Sequence, residues 1–188
     1  QALYWLGEIY QDRRLDERYL ANVAVMQSLF KQNYWTSKAV YELAMYYDDQ
    51  HDFDAAIESY KKVIQDFPDS SLVDDASWKA GWIYYKRKHD PLQALAVWKK
   101  ATVLQPEGDM ADRCFYWVGK LSEKQGKKAE AEAAYQAVWD QHPFSFYALR
   151  LKDRFGLIEP MAQLPVQRMD FPDAKTRKTL QQCQEMIL

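Results

Sequence analysis

The stretch that decides the fold of this chain is residues 53–68, which read FDAAIESYKKVIQDFP. Apolar residues recur in it at positions 53, 56, 57, 60, 63 and 64, the spacing of one stripe along an α-helix. Pro68 closes the stretch, and its fixed φ and missing N–H group stop a helix. The stretch therefore predicts an amphipathic helix that buries one face and ends just before the proline.

The same phrase occurs three times, at intervals of 37 or 38 residues. Each copy contains a small residue, then an alanine, an aromatic residue and a proline at nearly constant offsets. The copies are Ala44, Ala56, Tyr60 and Pro68; Gly81, Ala94, Trp98 and Pro106; and Gly119, Ala131, Tyr135 and Pro143. Self-similarity at a fixed period indicates stacked helix–turn–helix units, each unable to bury its apolar face alone.

The small residues have a packing interpretation. Gly81 and Gly119 lie on first helices, where the absence of a side chain lets the second helix of the same unit approach closely. We expect Ala94 and Ala131 to face them, since larger side chains there would push the helices apart.

This pattern resembles the tetratricopeptide repeat family, including the aromatic residues Tyr47 and Tyr84 at the ends of first helices. The resemblance implies an all-α fold of helical-hairpin repeats stacked into a right-handed superhelix. The period is longer than the family's usual length of about 34 residues. The phrase at 67–76, FPDSSLVDDA, resembles the variant common in bacterial envelope proteins.

The repeat array is predicted to cover residues 1–157, and its first unit is degenerate because no proline follows the second helix. The predicted units are about 2–35, 36–70, 71–108 and 109–143, followed by a closing helix at 144–157. Residues 158–188 read as a proline-containing loop and one further helix without a partner. We expect this chain to be cut from a longer architecture at both ends.

Residues 143–149, PFSFYAL, and 155–157, FGL, resemble the end of the helical superhelix of soluble lytic transglycosylases. Ala148 stands where that family commonly has glycine, and Phe155 where it has leucine. The resemblance implies a periplasmic parent enzyme that cleaves peptidoglycan without water, using a catalytic glutamate in a separate domain beyond Leu188. The Glu58–Ser59 pair lies inside a repeat helix without the rest of that catalytic signature, so Glu58 is interpreted as a solvated residue.

Composition excludes several other classes of protein. Charge is nearly balanced, with 25 basic against 27 acidic residues, so no general attraction to nucleic acid is expected. No apolar run reaches the length of a membrane span.

The two cysteines, Cys114 and Cys183, have neither disulfide-scaffold nor zinc-site spacing, and their pairing stays open. The three histidines lie in turns or beside a proline, and the glycines are scattered singly. We therefore predict no catalytic residue, metal site or cofactor within this chain.

One aromatic line stands out as a candidate binding surface. An aromatic residue lies three positions before the small residue of each unit, a place that faces the inner, concave surface in tetratricopeptide arrays. Packing of these rings between helices is the favoured interpretation, because aromatic stripes at helical spacing are more often core than ligand platform. Any exposed rings, with nearby cations, would suit sugar rings, acidic groups or an extended peptide. The candidates are Tyr4, Tyr41, Trp78, Trp82, Tyr85, Tyr116, Lys120 and Lys124.

Two functions follow from these patterns. The leading hypothesis is a non-catalytic superhelical module of a lytic transglycosylase, which shapes or binds glycan strands of the cell wall. The alternative is a tetratricopeptide adaptor that binds a protein or peptide partner in its concave groove. Only the segment from Pro143 to Leu157 separates them, because the repeats fit both hypotheses equally.

Overall fold

The computed structural model describes residues 1–155, and within this range all regular structure is α-helical. Residues 1–151 form one compact unit, and a second unit begins at Lys152. The helices are α1 (Ala2–Asp12), α2 (Asp16–Leu29), α3 (Tyr34–Asp49), α4 (Phe53–Asp66), α5 (Val73–Lys86), α6 (Pro91–Leu104), α7 (Ala111–Lys124), α8 (Lys128–Gln141) and α9 (Phe146–Phe155). The fold is an all-α helical repeat. The further helix predicted within 158–188 lies outside the described residues, as do Gly156 and Leu157.

Consecutive helices pack as antiparallel hairpins, with α1 on α2, α3 on α4, α5 on α6 and α7 on α8. Side-chain caps define several helix starts, because the first N–H groups of a helix have no partner within it. Asp52 accepts a hydrogen bond from the Ala55 N–H, and Asp90 accepts one from Gln93 just before Pro91 opens α6. α5 begins at Val73 without a side-chain cap, although Ser71 followed by Asp74 has the sequence pattern of a helix-opening cap.

The turn inside each hairpin contains one residue with left-handed backbone. These residues are Arg14 (φ 55°), His51 (φ 63°), His89 (φ 52°) and Gly126 (φ 75°). Only glycine adopts this conformation without a steric cost from Cβ. Two of the three histidines thus occupy a strained turn position that the fourth repeat fills with glycine, which accounts for their placement without any chemistry.

Replacing His89 by glycine is expected to raise the free energy of unfolding by up to about 1 kcal/mol, because the left-handed strain is relieved. Gly126→Ala is expected to lower it by about 1 kcal/mol for the converse reason. Urea denaturation measures both values. His142→Gly is the control, since His142 has an ordinary φ of −131° and gains nothing from glycine. Loss of stability in His89→Gly would contradict this account of the turns.

Gly81 and Gly119 make room for an aromatic ring of the second helix, where we expected Ala94 and Ala131. A Cβ atom at Gly81 would lie 2.2 Å from Nε1 of Trp98, and one at Gly119 would lie 2.5 Å from the ring of Tyr135. Long side chains reach further along the interface than their backbone position indicates, so the ring four residues after the alanine fills the space. Each glycine therefore holds one buried ring of the second helix.

Candidate binding face

The first helices of successive repeats are neighbours and build a common surface. α1 contacts α3, and α5 contacts α7, while a hydrogen bond between Tyr41 and Asp75 links α3 to α5. We call the side of α1, α3, α5 and α7 that carries Tyr4, Tyr41, Trp78 and Tyr116 the first-helix face. It brings the predicted aromatic line together from four repeats.

Tyr4 and Tyr41 pack between repeats, with only 3% and 8% of their surface exposed. The Tyr4 hydroxyl donates to Oε1 of Glu42 at 2.7 Å, and the Tyr41 hydroxyl donates to the carboxylate of Asp75. Burial raises the pKa of Tyr4 to about 12, and burial followed by the hydrogen bond to Asp75 raises the pKa of Tyr41 well above its usual range. These two rings join each repeat to the next, as packing between helices requires, and they offer little surface to a ligand.

Five rings from α5, α6 and α7 form a continuous group, the tryptophan cluster, made of Trp78, Trp82, Tyr85, Trp98 and Trp117. Trp78 stacks on both Trp82 and Trp98, with centroids 5.3 and 5.4 Å apart. The Trp117 ring lies 5.0 Å from Tyr85 and 5.4 Å from Trp82. Trp98 is fully buried, whereas the other four rings are half-buried. The cluster therefore has a rigid base and a partly open surface.

Three cations lie over the rings of this cluster, where the negative face of an aromatic ring attracts a positive charge. The charged groups stand 5.3 Å (Lys86 over Trp82), 5.9 Å (Arg113 over Trp78) and 4.9 Å (Lys120 over Trp117) from the ring centroids. An ammonium or guanidinium group held over a ring still presents N–H donors to an incoming anion. The surface can therefore contact apolar and acidic groups at once.

The remaining candidates divide between this cluster and its surroundings. Tyr116 is half-buried and packs mainly against Tyr147 of α9, at a centroid distance of 4.8 Å. Lys124 is exposed, one turn beyond Lys120. Trp117 was not among the predicted residues, although it immediately follows Tyr116. Its spacing of three residues before Lys120 puts both on one helical stripe, and that signal could have identified it.

A recess of about 320 Å³ opens beside the cluster, at the C-terminal ends of α3 and α5. It is lined by Asp48, Trp82, Ile83, Lys86 and Arg87. An aromatic ring at the wall, an acidic group on one side and cations on the other suit one apolar or aromatic side chain with charged neighbours.

No group of three or more His, Cys, Asp or Glu side chains within residues 1–155 is placed to hold a metal ion. Cys114 is buried, and desolvation raises the pKa of its thiol, so the nucleophilic thiolate is disfavoured. Glu58 is exposed on α4. Among α1 to α9, none has the length and apolar character of a membrane span.

The fold and this surface define an all-α helical-repeat protein. The profile of the tetratricopeptide repeat family matches residues 38–70 and 113–145, so these two segments are similar to tetratricopeptide repeats. The two matched segments coincide with the hairpin α3–α4 and with the hairpin α7–α8.

Solved structures with the same architecture include two crystal structures of MamA. The first is 19% identical, with a TM-score of 0.51, and the match covers 84% of this chain and 76% of the MamA chain. The second is 20% identical, with a TM-score of 0.52, and the match covers 75% of this chain and 77% of the MamA chain. The first tetratricopeptide domain of Spaghetti (RPAP3), bound to the HSP90 peptide SRMEEVD, is 18% identical, covers 68% of this chain and 95% of its own, with a TM-score of 0.51. At these identities the likeness establishes the fold alone. No curated protein matches this sequence.

Proposed function

We propose that this chain is a repeat scaffold that binds a polypeptide partner on the first-helix face. The observation that carries the proposal is the tryptophan cluster, whose half-buried rings lie beneath Lys86, Arg113 and Lys120. Tryptophan, tyrosine and arginine dominate the energetics of protein interfaces because they bury large area at low entropic cost. The HSP90 peptide held by the Spaghetti domain supports the choice of a peptide over other ligands.

The buried base of the cluster strengthens this proposal. The Trp98 indole N–H donates to the Trp78 backbone oxygen at 3.3 Å, and its ring stacks on Trp78. Rings held by such packing lose little freedom when a ligand binds, so less of the contact energy is spent on ordering them. The cluster is a pre-formed surface.

Selection from a displayed library of random linear peptides tests the proposal, followed by titration of the enriched peptides against intrinsic tryptophan fluorescence. Trp82→Ala is expected to weaken binding about tenfold to thirtyfold, the usual effect of removing a central aromatic anchor. Leu92→Ala is the matched control, because Leu92 is 66% exposed on the second helix α6. Failure to enrich any peptide, or equal affinity for Trp82→Ala and the parent, would contradict the proposal.

A peptidoglycan ligand, a lytic transglycosylase parent and a periplasmic location remain predictions of the sequence resemblance at residues 143–157. The comparisons give them no support, and the tetratricopeptide match favours the adaptor hypothesis. Titration with soluble glycan fragments bearing stem peptides separates the two. Saturable glycan binding that Trp82→Ala abolishes, with no peptide enriched, would reverse this order of preference.

A further inference from the structure

Charge is segregated along the first-helix face. The part formed by α1 and α3 is acidic. On the helical stripes that carry Tyr4 and Tyr41, Lys38 is the one basic side chain of these two helices. The α5 and α7 part is basic, although Asp75 and Glu123 also lie on it. The acidic side chains of the first part are Glu8, Asp12, Glu42, Asp48 and Asp49, and the basic ones of the second are Lys79, Lys86, Arg113, Lys120 and Lys124. The face therefore carries opposite charge at its two ends, while the whole chain is nearly neutral.

Only some of these charged side chains are engaged in contacts within the chain. Glu42 is 3.8 Å from Lys38 and accepts the Tyr4 hydroxyl, and Asp75 accepts the Tyr41 hydroxyl. Asp49 and Lys86 are exposed. Enough charge remains at the surface on both halves to contact a partner.

The recess lined by Asp48, Trp82 and Lys86 lies where the two halves meet. Asp48 belongs to α3 and the acidic half, whereas Trp82 and Lys86 belong to α5 and the basic half. An apolar side chain placed there would have acidic surface on one side of it and basic surface on the other.

Resting on the proposed function, we infer that the partner is an extended segment with separated charges: a basic stretch, a large apolar or aromatic residue, and an acidic stretch. The apolar residue occupies the recess beside Trp82. The basic stretch lies over α1 and α3, and the acidic stretch contacts the cations on the tryptophan cluster. Adjacent helices lie about 9 Å apart, so four of them are crossed by roughly nine extended residues.

Two synthetic peptides of identical composition test this inference. In one, a block of lysines and a block of glutamates flank a central phenylalanine; in the other, lysine and glutamate alternate around the same residue. Titrated against the full chain by tryptophan fluorescence, the segregated peptide is expected to bind about tenfold more tightly at low salt. The difference should shrink as added salt screens the charges.

Charge reversal on the protein makes the test sharper. Lys86→Glu/Lys120→Glu is expected to weaken binding of the segregated peptide about tenfold or more, whereas Lys62→Glu/Lys100→Glu makes the same charge change on exposed sites of α4 and α6 with little effect. Adding Asp48→Lys/Asp49→Lys to the first variant leaves little difference in net charge between the two halves, so the preference for the segregated peptide over the alternating one should disappear. Circular dichroism checks that each variant is folded.

The outcomes separate this inference from the proposed function. Preferential binding of the segregated peptide, with loss of that preference once the charge difference between the halves is removed, supports the inference. Equal affinity for the two peptides overturns it and leaves peptide binding intact if Trp82→Ala abolishes both. Absence of binding by either peptide also overturns it, and enriched library peptides that depend on Trp82 would then still support the scaffold function.

Discussion

Trp98→Ala is expected to lower the free energy of unfolding by about 3–5 kcal/mol, the usual cost of removing a large buried aromatic ring. Trp98 is completely buried, and its ring lies within 6.2 Å of the rings of Trp78, Tyr85 and Trp117. The cavity would therefore remove contacts from α5, α6 and α7 together. Urea denaturation measures the loss.

Trp5→Ala is the matched control for that variant, because Trp5 is 51% exposed and its removal leaves no enclosed cavity. A clearly smaller loss is expected for it, of about 1 kcal/mol or less. Similar losses in the two variants would contradict the assignment of Trp98 as the base of the tryptophan cluster.

Gly81→Ala is the second substitution with a large expected effect, a loss of about 1–3 kcal/mol despite the better helix propensity of alanine. The added Cβ would lie 2.2 Å from Nε1 of Trp98, which is a steric clash. The Trp98 ring must move to remove it. That movement would also disturb the hydrogen bond from the indole to the Trp78 backbone.

The second repeat supplies a rescue for Gly81→Ala, since it pairs Ala44 with Tyr60, and both are completely buried. Gly81→Ala/Trp98→Tyr copies that pair. The double variant is expected to lose less stability than the sum of the two single variants, which a double-mutant cycle detects as favourable coupling. Strict additivity would show that the glycine and the ring do not share one space.

The period of the sequence was sufficient to predict the all-α repeat fold. The spacing from Gly81 to Pro106 recurs from Gly119 to Pro143. It reflects where helices form and where they end, and both depend on residues close in sequence. We expected Ala94 opposite Gly81, but the ring of Trp98 lies nearest to it. The difference arises because the contact depends on how far the Trp98 side chain reaches across the interface. Backbone spacing alone does not contain that information.

The candidate site was harder to predict, because it depends on contacts between repeats. The sequence places Tyr41 and Trp78 at the same register position, yet Tyr41 is buried against Asp75 while Trp78 remains half-buried under Arg113. Trp117 joins Trp82 only when α5 and α7 stack. These differences arise from the packing of one hairpin on the next, which a single repeat does not encode.

The most direct test of the binding face is the response of the tryptophan indole resonances to an enriched peptide, with assignments from single Trp→Phe variants. We expect the indole signals of Trp82 and Trp117 to shift most, while that of Trp139 on α8 does not move. Largest shifts at Trp139, or no indole shift at saturating peptide, would contradict the claim that the first-helix face is the binding surface.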